Sequence, residues 1–98
     1  MKIELSKTDS KLTLSLLGRL DTSSAPELET TLKTSLDGVK ELVFDFAGLE
    51  YISSAGLRVL LSAQKTMNQQ GSMKVNHVNE TIMEIFEVTG FSDILTVE

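Results

Sequence analysis

The 98-residue sequence has no cysteine and no tryptophan, and only one histidine (His77), one proline (Pro26) and one tyrosine (Tyr51). Without cysteine there is no disulfide framework, no Cys-ligated zinc, no iron–sulfur cluster and no thiol nucleophile. A Ser-His-Asp relay would have to run through His77, which lies in a segment that reads as a strand. No stretch approaches the ~20 apolar residues of a membrane span. The N-terminal Met-Lys-Ile-Glu-Leu-Ser lacks both the basic head and the apolar run of a signal peptide, so a cytoplasmic protein without membrane insertion is expected. Basic residues are also scarce: nine against fourteen acidic ones give a net charge of -5, with no long run of either sign. Phosphate backbones are neutralised by clustered Lys and Arg, so direct nucleic-acid binding is not expected.

What is present is an ordinary globular composition, 41% hydrophobic and 23% charged, with enough chain for one domain spanning residues 1–98. Apolar residues alternate over Lys2 to Lys7 and over Lys11 to Leu17, with Thr8-Asp9-Ser10 between, which predicts two adjacent strands joined by a tight turn. Ser24-Ala25-Pro26-Glu27 has the form of a capping box with proline in the first turn, and Leu28, Leu32 and Leu36 give the following helix one apolar stripe that Asp37-Gly38 ends. Glu41 to Phe46, apolar after Glu41 except at Asp45, suits a strand covered on both faces, and Ala47 to Ile52 reads as the loop into the next helix. That helix runs from Ala55 to Gln70 behind Ser53-Ser54, with Leu57, Leu60, Leu61, Gln64 and Met67 on one face and Gly71 as its stop. Ser72 to His77 reads as a short strand, Asn79 caps a third helix through Val88 that ends at Gly90, and Ile94, Leu95 and Val97 suggest a last short strand. The order β-β-α-β-α-β-α-β implies an α/β fold with a mixed, mostly parallel sheet.

In open α/β sheets, sites gather where strand ends lead into helix N-termini. Two such junctions stand out, Gly18 to Ser24 and Tyr51 to Arg58. Ser53 or Ser54 reads most simply as an N-cap, and Asp21 as a turn-former; Asp45 would accept backbone N–H groups from the next loop. A cap does not account for Gly56, which costs about 0.5–1 kcal/mol in a first turn relative to alanine. A missing side chain there would let another protein's surface approach the serine. Phosphate on that serine would be favoured by the helix N-terminus and would add about -1.5 to -2 of charge.

Gly18-Arg19-Leu20-Asp21, Val43 to Leu49, Tyr51-Ile52-Ser53-Ser54-Ala55-Gly56-Leu57 and Phe91 after Gly90 together resemble a STAS domain, and within that family the bacterial anti-sigma factor antagonists. The resemblance covers the whole chain. It implies a non-enzymatic switch that needs no cofactor and no metal. Unphosphorylated, it would bind an anti-sigma factor that is also a serine kinase of the ATP-binding histidine-kinase-like fold, freeing the sigma factor. Phosphorylation would end the interaction, and a PP2C-type phosphatase would restore it. By position Ser54 matches the phosphorylated serine, Asp21 the acidic residue near it, and Gly56 the first-turn glycine. Ser53 stands where many members have Asp, and Ala55 where many have Ser or Thr, which leaves Ser53 as the alternative acceptor. The expected docking surface comprises Asp21, Thr22, Ser23, Ser53, Ser54, Ala55, Gly56, Arg58, Val59 and Ser62. The resemblance also admits a second reading, an unphosphorylated assembly subunit of a lipid- or anion-transport complex. A phosphoaspartyl receiver is not expected, since no acidic pair precedes Asp45.

Overall fold

A computed structural model describes residues 1–98. Strands β1 (Lys2–Thr8) and β2 (Lys11–Leu20) form an antiparallel hairpin, in register from Lys2 opposite Leu17 to Thr8 opposite Lys11. The two-residue turn is closed by Asp9 at φ 56°, a left-handed conformation that aspartate tolerates better than most residues. Helix α1 (Ala25–Ser35), strand β3 (Glu41–Ile52), helix α2 (Ser54–Gln70), strand β4 (Ser72–Asn76) and helix α3 (Glu80–Thr89) follow. The sheet order is β1-β2-β3-β4, parallel from β2 onward. The expected α/β architecture with a mixed, mostly parallel sheet is what the chain adopts.

Right-handed crossovers that all step in one direction place their helices on one face of the sheet. Burial agrees with that placement: Leu12, Leu14, Leu42, Phe44 and Val75, which the register puts on one face, are fully buried, whereas Thr13, Ser15, Asp45 and Lys74 on the other are only half-buried. Val43 on that second face is buried but outside the core cluster, so β3 is not covered on both faces, contrary to expectation. The α1 stripe Leu28, Leu32 and Leu36 packs into this core as expected, and each such leucine contributes about 1.5–3 kcal/mol of burial. On α2 the buried set is wider than the predicted stripe. Gly56, Val59 and Ala63 join Leu57, Leu60, Gln64 and Met67, while Leu61 is half-buried, because α2 packs against α1 as well as the sheet.

Three local expectations are corrected. Residues 47–52 are not a loop but the second half of β3, which stays paired with β2 through Leu20 opposite Ile52. Two register shifts, between Ser15 and Leu17 and between Gly18 and Arg19, break the two-residue period there, so Leu49 and Ile52 are both buried although three residues apart. The last strand shrinks to one parallel bridge between Val75 and Val97. A single 3-10 turn at Phe91–Asp93 precedes it, and the N–H groups of Ile94 and Leu95 both bond the Phe91 carbonyl rather than a ladder. The capping box at Ser24 does not form. Its hydroxyl instead donates to the Arg19 carbonyl (2.8 Å) and accepts the Asp21 N–H (2.9 Å).

Side-chain amides tie the helix ends to the sheet. Gln70 Nε2 donates to the carbonyls of both Leu36 and Val39 (2.7 Å each), fixing the end of α2 to the α1–β3 connection. Asn79 accepts the Ile82 N–H (2.8 Å) as the cap of α3 and donates to the Leu49 carbonyl (3.0 Å). Gly90 ends α3 at φ 81°.

Candidate docking site

The parallel pairing of β2 with β3 decides what the site contains. Leu20 lies opposite Ile52, and the Ser53 N–H donates to the Leu20 carbonyl (2.8 Å), so the two junctions read from the sequence emerge side by side. On the β2 side, Asp21 organises the turn into α1. Its Oδ1 accepts from the Ser23 N–H (3.0 Å), the Ser23 hydroxyl (2.7 Å) and the Ser24 N–H (3.2 Å). The Ser23 hydroxyl first, and the Ser23 and Ser24 amides with it, hold the Asp21 carboxyl below its ordinary value despite some opposing desolvation. Asp21 is thus a turn-former, as the simpler reading had it, with Oδ2 left facing Arg19 Nε at 4.0 Å. The Arg19 guanidinium also lies over the Tyr51 ring, 4.6 Å from its centroid.

On the β3 side, Ser53 occupies the N-cap position of α2 with extended backbone, but its hydroxyl makes no cap bond; it is buried and has no partner. The cap expected of one of these serines is therefore absent. Ser54, the first residue of α2, is exposed, and its hydroxyl bonds to no other group of the protein. No acidic residue occupies the first turn of α2, so nothing there offsets the positive end of the helix dipole.

Gly56 has a different explanation from the one its position suggests. It is buried, and a Cβ on it would come within 2.7 Å of Leu20 Cγ and 2.8 Å of Ile52 Cγ1. The missing side chain lets α2 settle onto the ends of β2 and β3; it faces the core, not an approaching protein. Thr22, Ala55, Arg58, Val59 and Ser62 do come together, lining a cleft of about 300 Å³ between α1 and α2 that Ala25, Pro26 and Glu29 complete. Val59 is 5% exposed and forms its floor. Asp21, Ser23, Ser53 and Ser54 lie outside the cleft lining, on the two adjoining junctions. A second hollow of about 350 Å³ continues along the same helices and shares Glu29, Val59 and Ser62 with it. The contributions of α1 and the Arg19–Tyr51 stack were not foreseen, since both depend on the register of β2 against β3.

Far from this junction, His77 Nδ1 lies 2.9 Å from Asp45 Oδ1, which also accepts the Ala47 N–H (3.0 Å) as expected. His77 follows β4 rather than belonging to it, at φ 59°, and no hydroxyl is bonded to it. The Ala47 amide, then His77, lower the Asp45 carboxyl from its ordinary value.

The family model described as "Mlab, STAS domain" matches residues 3–96. The chain belongs to the STAS family. A curated relative, the putative anti-sigma factor antagonist BtrV of Bordetella bronchiseptica, is 37% identical to this STAS domain over 99 residues, covering 99% of this chain and 85% of the relative. An anti-sigma factor antagonist of Mycobacterium paratuberculosis shares the fold at a TM-score of 0.87 and 21% identity, over 98% of this chain and 83% of that one. The phosphorylated form of the Bacillus cell-fate determinant SpoIIAA does so at 0.78 and 17% identity, over 99% and 91%. No helix of this STAS domain is long and apolar enough to cross a membrane.

Proposed function

We propose that this STAS domain is an anti-sigma factor antagonist: it docks on an anti-sigma factor through the β2–α1 and β3–α2 junctions, and phosphorylation of Ser54 ends the contact. The observation that carries the reading is the contrast between the two serines. Ser54 offers an exposed hydroxyl with no internal partner at the start of a 17-residue helix, whereas the Ser53 hydroxyl is buried. A kinase needs access to the acceptor oxygen, and the helix N-terminus favours the product charge. The relatives named as anti-sigma factor antagonists and the phosphorylated form of SpoIIAA support the same reading.

The mechanism is electrostatic. Thr22, Ala55, Val59 and Ser62 present a surface of small or apolar groups beside Ser54. Docking removes this surface from water, and a phosphate of about -1.5 to -2 charge placed there must be desolvated, with Arg58 one turn along α2 as the only cation lining the cleft. Moving a two-state balance from 1:99 to 99:1 takes about 5.5 kcal/mol, which burying a dianion that a single arginine cannot neutralise supplies. Asp21, already anionic at the adjoining junction, adds to the repulsion of a second negative group. The partner in this reading is a soluble serine kinase that also sequesters a sigma factor, with a PP2C-type phosphatase reversing its action in the cytoplasm; the domain itself catalyses nothing.

Site mapping tests the acceptor. Wild-type, Ser53→Ala and Ser54→Ala proteins are expressed in the source cells, and their phosphorylation is read by intact mass and fragment mass spectrometry. Phosphate on wild type and Ser53→Ala and none on Ser54→Ala is expected. Full labelling of Ser54→Ala transfers the role to Ser53, and no phosphate on any of the three favours the transport-complex subunit.

A further inference from the structure

The net charge of the protein is confined to its last fifth. Residues 1–77 carry nine acidic and nine basic side chains, while residues 78–98 carry five acidic ones and no Lys, Arg or His. Glu98 is paired with Lys74 (3.7 Å), but Glu80, Glu84, Glu87 and Asp93 take part in no ion pair. Glu80, Glu84 and Glu87 fall at i, i+4 and i+7, one exposed stripe along α3. Beside that stripe, Thr81, Glu84, Ile85, Val88 and Thr89 line a shallow hollow of about 410 Å³. Val88 is 80% exposed, against 49% for Leu5 and 47% for Ile94, the other large hydrophobic residues left in solvent. The face is therefore an apolar strip edged by unpaired carboxylates, on the outer side of a helix whose Ile82 and Phe86 are fully buried.

The charges select the occupant. A second copy packed symmetrically, α3 against α3, would set one carboxylate stripe against another with no cation on either helix to offset it. Anionic lipid and nucleic acid are repelled for the same reason. A cationic amphipathic helix satisfies both halves of the face, its apolar side on Ile85 and Val88 and its Lys or Arg side chains on Glu84 and Glu87. We propose that α3 is a second docking surface, which takes a cationic amphipathic segment of a partner protein independently of Ser54. A rim of opposite charge speeds encounter and makes binding salt-dependent, while the apolar strip sets the lifetime of the complex.

The test uses the full chain and a synthetic leucine–lysine peptide with its leucines at helical spacing, alongside a scrambled isomer of identical composition. Binding is followed by amide chemical shifts. The amphipathic peptide should shift residues 80–89 first and bind at least about tenfold more tightly than the scrambled isomer. That advantage should disappear in Val88→Lys and in the Glu84→Lys, Glu87→Lys double variant, all solvent-exposed positions whose folding is checked by circular dichroism. Ser54→Asp should bind the peptide as wild type does. Equal affinity for the two peptides, shifts centred on the α1–α2 cleft, loss of binding in Ser54→Asp, or a sedimentation dimer abolished by Val88→Lys would each overturn the proposal.

Discussion

Gly56 shows how two local effects of opposite sign are decided by packing. Alanine is the better helix former by about 1 kcal/mol, which alone would make Gly56→Ala stabilising. Its methyl, however, would meet Leu20 Cγ at 2.7 Å and Ile52 Cγ1 at 2.8 Å. Those side chains are 0% and 1% exposed and cannot swing away. Overpacking of that kind costs about 1–3 kcal/mol, so Gly56→Ala is expected to lower Tm by several degrees in calorimetry. An unchanged or raised Tm would mean that α2 does not rest on those two residues. Asp45 supplies a pH-dependent contribution. Its carboxyl is lowered from the ordinary 3.8, first by the Ala47 amide and then by His77, so its stabilisation is complete above that value and is lost as pH falls through the lower folded-state value. Urea midpoints measured from neutral pH down into that acid range should fall less steeply in Asp45→Asn than in wild type; equal slopes would remove Asp45 from the acid response.

Among the elements, the ends of α2 and α3 are held by single amide side chains. Gln70→Ala leaves the Leu36 and Val39 carbonyls without their 2.7 Å donors, and Asn79→Ala removes both the α3 cap and the bond to Leu49. Each should cost about 1–3 kcal/mol in urea unfolding with no change in m-value. A loss below about 0.5 kcal/mol would show that water replaces these bonds freely. These elements also show what can be read in a sequence. The hairpin, the α1 leucine stripe, the Asn79 cap and the Gly90 stop follow from period and residue type, and all are present. The second half of β3 was hidden because two register shifts break its alternation, and the final strand, which the apolar pattern suggests, shrinks to one bridge because the 3-10 turn takes the Ile94 and Leu95 donors. At the site, hydroxyls and a carboxylate at strand–helix junctions were visible in the residue types. Gly56 was assigned to the wrong side of the helix, and the Arg19–Tyr51 stack and the α1 wall of the cleft were missed. Each of these depends on how distant segments meet, which a linear pattern does not contain.

In the whole molecule, two surfaces of different character are built on one set of helices. The α1–α2 side carries small and apolar groups with Arg58 and Glu29 next to Ser54, and the α3 side carries the unpaired carboxylates. In the proposed scheme a charge added at Ser54 acts on the first surface and leaves the second as it was, so a partner stays tethered through α3 while the other contact is released. The central claim is the release at Ser54. Its most direct measurement is an affinity pull-down from native lysate with wild-type, Ser54→Ala and phosphoserine-54 proteins, with bound proteins quantified by mass spectrometry. A soluble ATP-binding kinase retained by wild type and Ser54→Ala and depleted at least about tenfold on the phosphoserine protein is the predicted result. Equal recovery of the same partners by all three would contradict it and leave Ser54 a surface serine on an assembly module.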